Sequence, residues 1–390
     1  MKDKLYFNNL NGLRFIAAFM VIVSHMELNK SYFDLQNNFQ YIKELGRLGV
    51  SLFFVLSGFL ITFLLLKEKE KNNFINIKNF YLRRIYRIWP LYYLIVLLSL
   101  FVLPNIELFH IPNLKLEVES SSQFFIIILL FVCFLSNVLI HLKLIPFSTQ
   151  TWSIGTEEQF YLFWPVLIDR CQNFKIIFIA LIIFYNLVLI TLGFSFFDNI
   201  KYVNLIKNFV YSFQLDSLTI GSLGAFFLYV KNYIIRFLTN LNVFFFTIAI
   251  IVLSITYDFQ FGIFKSTYFA TLFILVIINL VNHPKLINLL ENRVFNYLGK
   301  ISYGLYMYHQ IVMVFVINFI LKNFEFNNVM IYLFSILITI LISSISYKFF
   351  ESPFLKRKDK ISTFHNHKAT IYNVQQNESI YRNSRPENRT

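Results

Sequence analysis

The chain has 390 residues, is 57% hydrophobic and only 14% charged, and carries a formal charge of +14 with a mean hydropathy of +0.58. A soluble domain carries about 25% charged residues, and the deficit here runs the whole length, which excludes a soluble enzyme held by a single anchor. Runs such as FFIIILLFVCFLS do not alternate, which excludes a β-barrel, and a basic surplus in a membrane chain belongs in its cytoplasmic loops, so nucleic acid is not implied.

Apolar windows of about 18 residues predict spans near 8–27, 47–66, 86–103, 124–142, 174–194, 208–229, 240–257, 267–282, 301–321 and 329–350. The first is no cleaved leader: Lys2 and Lys4 precede it, but no small-residue cleavage site follows and Arg14 interrupts the apolar run. The loop after the second carries Lys67, Lys69, Lys71, Lys78, Arg83, Arg84 and Arg87, which assigns it, and with it the N-terminus, to the cytoplasm. The following loop has Glu107, Glu117 and Glu119 against Lys115 and suits the outside.

A weaker stretch at 152–170 decides the rest. If it does not span, Lys231 and Arg236, then Lys285, Arg293 and Lys300, and finally Lys356, Arg357, Lys358 and Lys360 all fall inside. The expectation is therefore an all-α, polytopic transmembrane helical bundle of about ten spans with both termini cytoplasmic. Residues 152–170 then form a cytoplasmic-side or re-entrant element. Residues 1–355 make the membrane domain, and 356–390 a polar, disordered tail. The acceptor sequences at 377–379 and 388–390 carry no weight in a cytoplasmic tail. Cys133 and Cys171 suggest neither a disulfide framework nor a metal site, and no pair has ligand spacing. The 49 Phe and 23 Tyr read as lipid-facing filler and interfacial belts.

Chemistry concentrates at a few points. Arg14 and His25 stand eleven residues apart in the first span, on one helical face and about 16 Å apart along the axis. A titratable group in a span costs roughly 2.5–3.5 kcal/mol and is rarely idle. A neutral imidazole can deprotonate an alcohol, whereas a lone histidine would simply end a helix at the interface. Arg83, Arg84 and Arg87 form a cationic face that suits phosphates, or a positive-inside anchor. Trp152, Ser153, Glu157, Glu158 and Tyr161 sit beside an apolar stretch, with Glu157 and Tyr161 on one face; alone, the motif reads equally as a capped helix start. His309 places a second imidazole inside a span, and Glu351-Ser352-Pro353 ends the last one.

These motifs, in this order, resemble the acyltransferase-3 family of bacterial membrane O-acyltransferases. LNGLRFIAAFMVIVSH is similar to its opening arginine–histidine signature, LGRLGVSLFFVLSGFLIT to its second span, and YLRRIYRIWPLYYL to its arginine-rich third. TWSIGTEEQFYLFWPVL, ISYGLYMYHQIV and FFESPFLK are similar to later motifs, so the likeness runs from about residue 8 to 355. The resemblance implies transfer of an acyl group, with acetyl favoured, from cytoplasmic acyl-CoA to a hydroxyl of a cell-surface carbohydrate such as O-antigen or exopolysaccharide, lipid-linked or not. It implies a multi-pass protein of the bacterial inner membrane, with membrane lipids and no metal or nucleic acid among its partners. His25 matches the essential histidine, Arg14 its partner and Glu157 the glutamate of the tryptophan-serine motif, a catalytic set. Arg83, Arg84 and Arg87 match the arginines that hold CoA, and Trp152, Ser153, Tyr161 and His309 are expected at the substrate.

The chain departs from the family pattern at Asn11, where an aspartate is common, and at Ser51, where an acidic residue is frequent. It departs again at Gln214, where an arginine often precedes Asp216, and at Tyr308, in place of a tryptophan. The rival readings are a transporter or flippase for a lipid-linked sugar, a polyprenyl-phosphate glycosyltransferase and an inactive family member. The first predicts inverted repeats, which the sequence lacks. The second predicts outer-loop carboxylates, whereas Glu157 and Glu158 fall inside by charge. The third sits poorly with retention of both Arg14 and His25.

Overall fold

The computed structural model describes residues 7–36, 42–112, 114, 120–142, 145–194, 203–257, 259, 261–325 and 327–361, apart from the side chain at 43. Lys2, Lys4, Lys115, Glu117, Glu119 and residues 362–390, with both acceptor sequences, lie outside the described residues. Helices α1 (Leu10–Tyr32), α2 (Ile42–Asn72) and α3 (Ile77–Leu97) are followed by the short α4 (Ser121–Val132) and α5 (Ser136–Leu142). Next come α6 (Thr151–Arg170), α7 (Phe174–Gly193), α8 (Val203–Phe213) and α9 (Leu215–Tyr229). The chain continues through α10 (Tyr233–Leu238), α11 (Leu241–Thr256), α12 (Lys265–Asn282), α13 (Arg293–Lys300), α14 (Ser302–Asn323) and α15 (Asn328–Ser346).

The described elements are all helical, and seven helical segments, those of α1, α2, α3, α7, α12, α14 and α15, are long and apolar enough to cross a membrane. The last runs on through a π turn to Ile361. Burial sorts them: α2 and α14 are each 78% buried in their apolar window and form the centre, whereas α7 at 17% is peripheral. The outer faces of the rim helices are large apolar side chains, Phe184 on α7 and Leu337 and Leu341 on α15 among them. Such a face suits lipid.

Lipid tails are as apolar as leucine, so close backbone contact and polar pairs hold such helices together. The α2–α9 crossing shows both. A Cβ on Gly58 would lie 1.9 Å from the Leu218 carbonyl oxygen, and one on Gly221 2.2 Å from that of Val55, so only glycine permits this approach. Beside it, Thr62 Oγ1 donates to Ser222 Oγ at 2.8 Å.

Chain direction follows from contacts. Phe7, just before α1, packs on Phe63 in the last third of α2, while Gly46 at the start of α2 abuts Ser24 in the second half of α1. The two helices are antiparallel. Helix α6 runs beside α2 in parallel register: Ser57 meets Glu157 at 2.7 Å, Thr62 meets the Trp164 indole at 2.8 Å, and Lys69 Nζ donates to the Ile168 and Asp169 carbonyls at 2.9 and 2.7 Å. Lys69 thereby caps the last carbonyls of α6.

Residues 152–170 form one unbroken helix that accompanies α2 from Ser57 to Lys69 and is not among the seven long apolar segments. The stretch 124–142, expected as a single span, is not one helix. It is split into α4 and α5 by a turn at which Phe134 has φ 57°. The freed carbonyls of Phe131, Val132 and Phe134 accept from the hydroxyls of Tyr92 and Tyr93 and from Gln159 Nε2, each at 3.0 Å. Irregular backbone inside a bundle survives only where protein satisfies it in this way. The expected span at 208–229 is also broken: Gln214 takes a left-handed turn, φ 43°, between α8 and α9.

Candidate active site

Two cavities lie one above the other along α1. The first, which we call the arginine cavity, has a volume of about 90 Å³ and is lined by Arg14, Ser57, Arg84, Arg87, Ser153, Glu157, Tyr161, Ser302, Tyr303 and Tyr306, with apolar walls from Phe53, Phe54, Leu60 and Ile61. Arg14 comes from the second turn of α1 and the arginines from α3, so three helices set its charge, with α6 supplying Glu157. The carboxylate of Glu157 accepts from Ser57 Oγ at 2.7 Å and from the Tyr161 hydroxyl at 2.8 Å. The Arg84 guanidinium stacks over the Phe80 and Tyr161 rings at 5.7 and 5.5 Å, and its buried Nε has no hydrogen-bond partner among the described residues. The lining itself carries the guanidiniums of Arg14, Arg84 and Arg87 against the one carboxylate of Glu157, with Glu158 and Glu351 further back, so the groups at its surface favour an anion.

The second, the histidine cavity, is about 720 Å³ and is lined by His25 and Ser24 from α1, Arg47 and Ser51 from α2, His141 from α5 and Trp152 from α6. Asn208, Tyr211, Ser212 and Gln214 of the broken α8–α9 segment close one side, and Lys265 and Ser266 of α12 another. The break at Gln214 thus supplies part of the wall. Lys265 pairs with Glu44 at 2.8 Å, Arg47 is exposed, and the buried His141 Nε2 has no partner among the described residues. Polar donors and acceptors interleaved with Trp152 and Tyr211 make a surface on which sugar hydroxyls and an apolar sugar face can both rest.

The wall between the cavities is built from adjacent residues: Trp152 faces the histidine cavity and Ser153 the arginine cavity. Ser153 Oγ and the Tyr306 hydroxyl are 2.7 Å apart, and that hydroxyl donates to the Gln150 carbonyl at 2.9 Å. Within the wall, His25 Nδ1 is 3.1 Å from His309 Nε2, and His309 Nδ1 is 2.6 Å from the Tyr306 carbonyl oxygen.

The sequence-expected residues are therefore divided. Arg14, Arg84, Arg87, Ser153, Glu157 and Tyr161 share the arginine cavity; His25 and Trp152 share the other. Arg83 joins neither. It pairs with Glu68 at 3.0 Å. Expected at the substrate, His309 lines neither cavity and is fully buried behind His25. Glu158 accepts from the Trp89 indole at 3.1 Å and is also outside both. Ser51 and Gln214, two positions that depart from the family pattern, touch: Ser51 Oγ donates to Gln214 Oε1 at 2.6 Å. Asp216 takes its hydrogen bonds from Ser266 and Thr267 at 2.5 and 2.6 Å. Sequence reasoning missed Ser57, Arg47, His141, Lys265 and Tyr306. A hydroxyl alone in LFFVLSGFLI was the signal for Ser57; the others carry none until the helices are placed.

A family model described as an acyltransferase domain matches residues 7–348. A Staphylococcus aureus (strain COL) protein with the provisional name O-acetyltransferase is 30% identical over 380 residues, covering 91% of this chain and 58% of its own length. The O-acetyltransferase OatA of Staphylococcus aureus (strain NCTC 8325 / PS 47) is 28% identical over 392 residues, covering 93% of this chain and 60% of its own length. The chain thus spans about three fifths of the curated relatives it matches. No solved structure matches.

Proposed function

Because the chain belongs to the acyltransferase family whose model covers residues 7–348, we propose that it is a membrane O-acyltransferase moving an acyl group, acetyl first among the candidates, from acyl-CoA to a carbohydrate hydroxyl. The observation that carries this reading is the pair of cavities stacked on one helix, one cationic and narrow, the other wide with polar groups set among apolar ones, with a histidine at the second. An acyl-CoA is a polyanion on a thin arm, and a glycan is bulky and uncharged or weakly charged. The narrow cationic cavity has room for one anionic group or the thin arm of the donor, and the wide one for sugar units.

In this reading Arg84 and Arg87 hold the donor's phosphates by charge-assisted hydrogen bonds, and the thioester arm follows α1 past Arg14 towards His25. The lysine-bearing end of α2 faces the cytoplasm of a bacterial inner membrane, by the charge rule, which puts the donor site on the side where acyl-CoA is made. The acceptor enters the histidine cavity from outside. Its hydroxyl oxygen bonds to the acyl carbon, the carbon–sulfur bond breaks, and the hydroxyl proton passes to His25 and from it to the departing thiolate. Arg14 orients the donor; a direct oxyanion contact needs a donor within about 3 Å of the reacting oxygen, and Arg14 is about three helical turns from His25. Glu157, fixed by Ser57 and Tyr161, tempers the charge of these arginines so that the donor can leave. The acceptor is a carbohydrate of the cell surface, free or lipid-linked.

The test is reconstitution of the full chain in nanodiscs with acetyl-CoA and candidate glycans. Thiol release and proton NMR of the glycan together read transfer. Wild type is expected to add O-acetyl signals and His25→Ala to add none. Transfer by the alanine variant at the wild-type rate overturns the role of His25, and acetyl-CoA binding too weak to measure overturns the donor.

A further inference from the structure

His309 is 0% exposed, lines neither cavity, and touches His25 through the back of its ring. The proton positions follow from the partners. A carbonyl oxygen only accepts, so the 2.6 Å contact between His309 Nδ1 and the Tyr306 carbonyl requires a hydrogen on Nδ1. A neutral imidazole protonated at Nδ1 has its lone pair on Nε2, and that lone pair faces His25 Nδ1 at 3.1 Å. His25 Nδ1 must then carry the hydrogen. The remaining nitrogen of His25, Nε2, is left with its lone pair for the histidine cavity.

We infer that His309 is a positioning residue that holds His25 in the Nδ1–H tautomer and so makes His25 Nε2 the basic atom offered to the acceptor hydroxyl. The inference rests on the proposed reading only in naming that hydroxyl as the proton's source. When Nε2 takes the proton, the imidazolium keeps Nδ1–H on His309 Nε2, and the Tyr306 carbonyl aligns His309 in turn. The unit resembles a nucleophile's base steadied by a third group, but it ends on a neutral carbonyl where soluble enzymes often use a carboxylate. Inside hydrocarbon that choice avoids a buried negative charge. It also accounts for an imidazole shut away from both cavities.

The experiment uses the full chain in nanodiscs, labelled with ¹⁵N-histidine, with the His25 resonances identified as those lost in His25→Ala. Wild type is expected to show His25 protonated at Nδ1 and bare at Nε2. His309→Phe keeps a flat ring but no acceptor; it is expected to lose that preference and to lower transfer about a hundredfold, within the range for a mispositioned base. In His309→Gln, Oε1 can accept from His25 Nδ1–H while the amide NH₂ donates to the Tyr306 carbonyl, so transfer is expected to recover about tenfold over the Phe variant. Wild-type His25 protonated at Nε2 overturns the inference. So does a Phe variant with unchanged tautomer and rate, or a Gln variant no better than Phe. If the tautomer behaves as stated but wild type transfers nothing from acetyl-CoA, the positioning role stands and the donor assignment fails.

Discussion

The arginine cavity and the histidine cavity share α1, α2 and α6 as walls, yet one holds about 90 Å³ and the other about 720 Å³. The difference has a local cause. Around the arginine cavity α2, α3 and α6 pack as continuous helices, and the polar groups reach inward to one another, as Ser57 and Tyr161 do to Glu157. Around the histidine cavity the framework is interrupted, at the α4–α5 turn and at Gln214, and the gaps become space. Continuous helices make a selective slot; broken ones make room for a large guest.

If the two cavities do separate tasks, substitutions in each should leave the other's task intact. The largest effect is expected for His25→Ala, with transfer down about a thousandfold and acyl-CoA affinity unchanged by equilibrium binding. Matching losses in both would break the separation. Next is Arg84→Ala with Arg87→Ala, which should weaken acyl-CoA binding about a hundredfold while the KM for acceptor stays put. The Arg83→Ala variant sharpens that result, because Arg83 is spent on Glu68 and its loss should leave donor binding near wild type. A smaller effect is expected for Ser57→Ala. It strips a donor from the buried Glu157 carboxylate, a loss of about 1–3 kcal/mol, read as a lower unfolding midpoint and about tenfold slower transfer. Smallest is Trp152→Ala, with a several-fold higher acceptor KM and unchanged acyl-CoA affinity; a shift in donor affinity instead would move Trp152 to the other side of the wall.

Much of this was legible in the residues. The Arg14–His25 spacing put both on one face of α1, and both do line cavities. Their separation along the axis was also implied, but that it would fall across a wall, with Trp152 on one side and Ser153 on the other, was not. The α4–α5 segment and α6 show the limit most clearly. By hydropathy 124–142 is the better span, since FFIIILLFVCFLS is unbroken and 152–170 carries Glu157 and Glu158. The outcome turned on partners. Tyr92, Tyr93 and Gln159 satisfy the carbonyls of the turn, and Ser57, Tyr161 and Trp89 donate to the carboxylates of the helix. All of those partners but Tyr161 lie far along the chain. Likewise Ser51 and Gln214 read as two unrelated departures until they are seen to bond to each other.

Composition and apolar run length were enough for an all-helical membrane chain, because transferring a long polar segment into hydrocarbon is too costly for any other reading. Motif order was enough for the family. The break of 124–142 into two helices, the split of one expected site into two cavities, and the tautomer of His25 came only with the packed helices. Each depends on which distant donor meets which acceptor, and hydrogen bonds between helices obey distance in space, not along the chain.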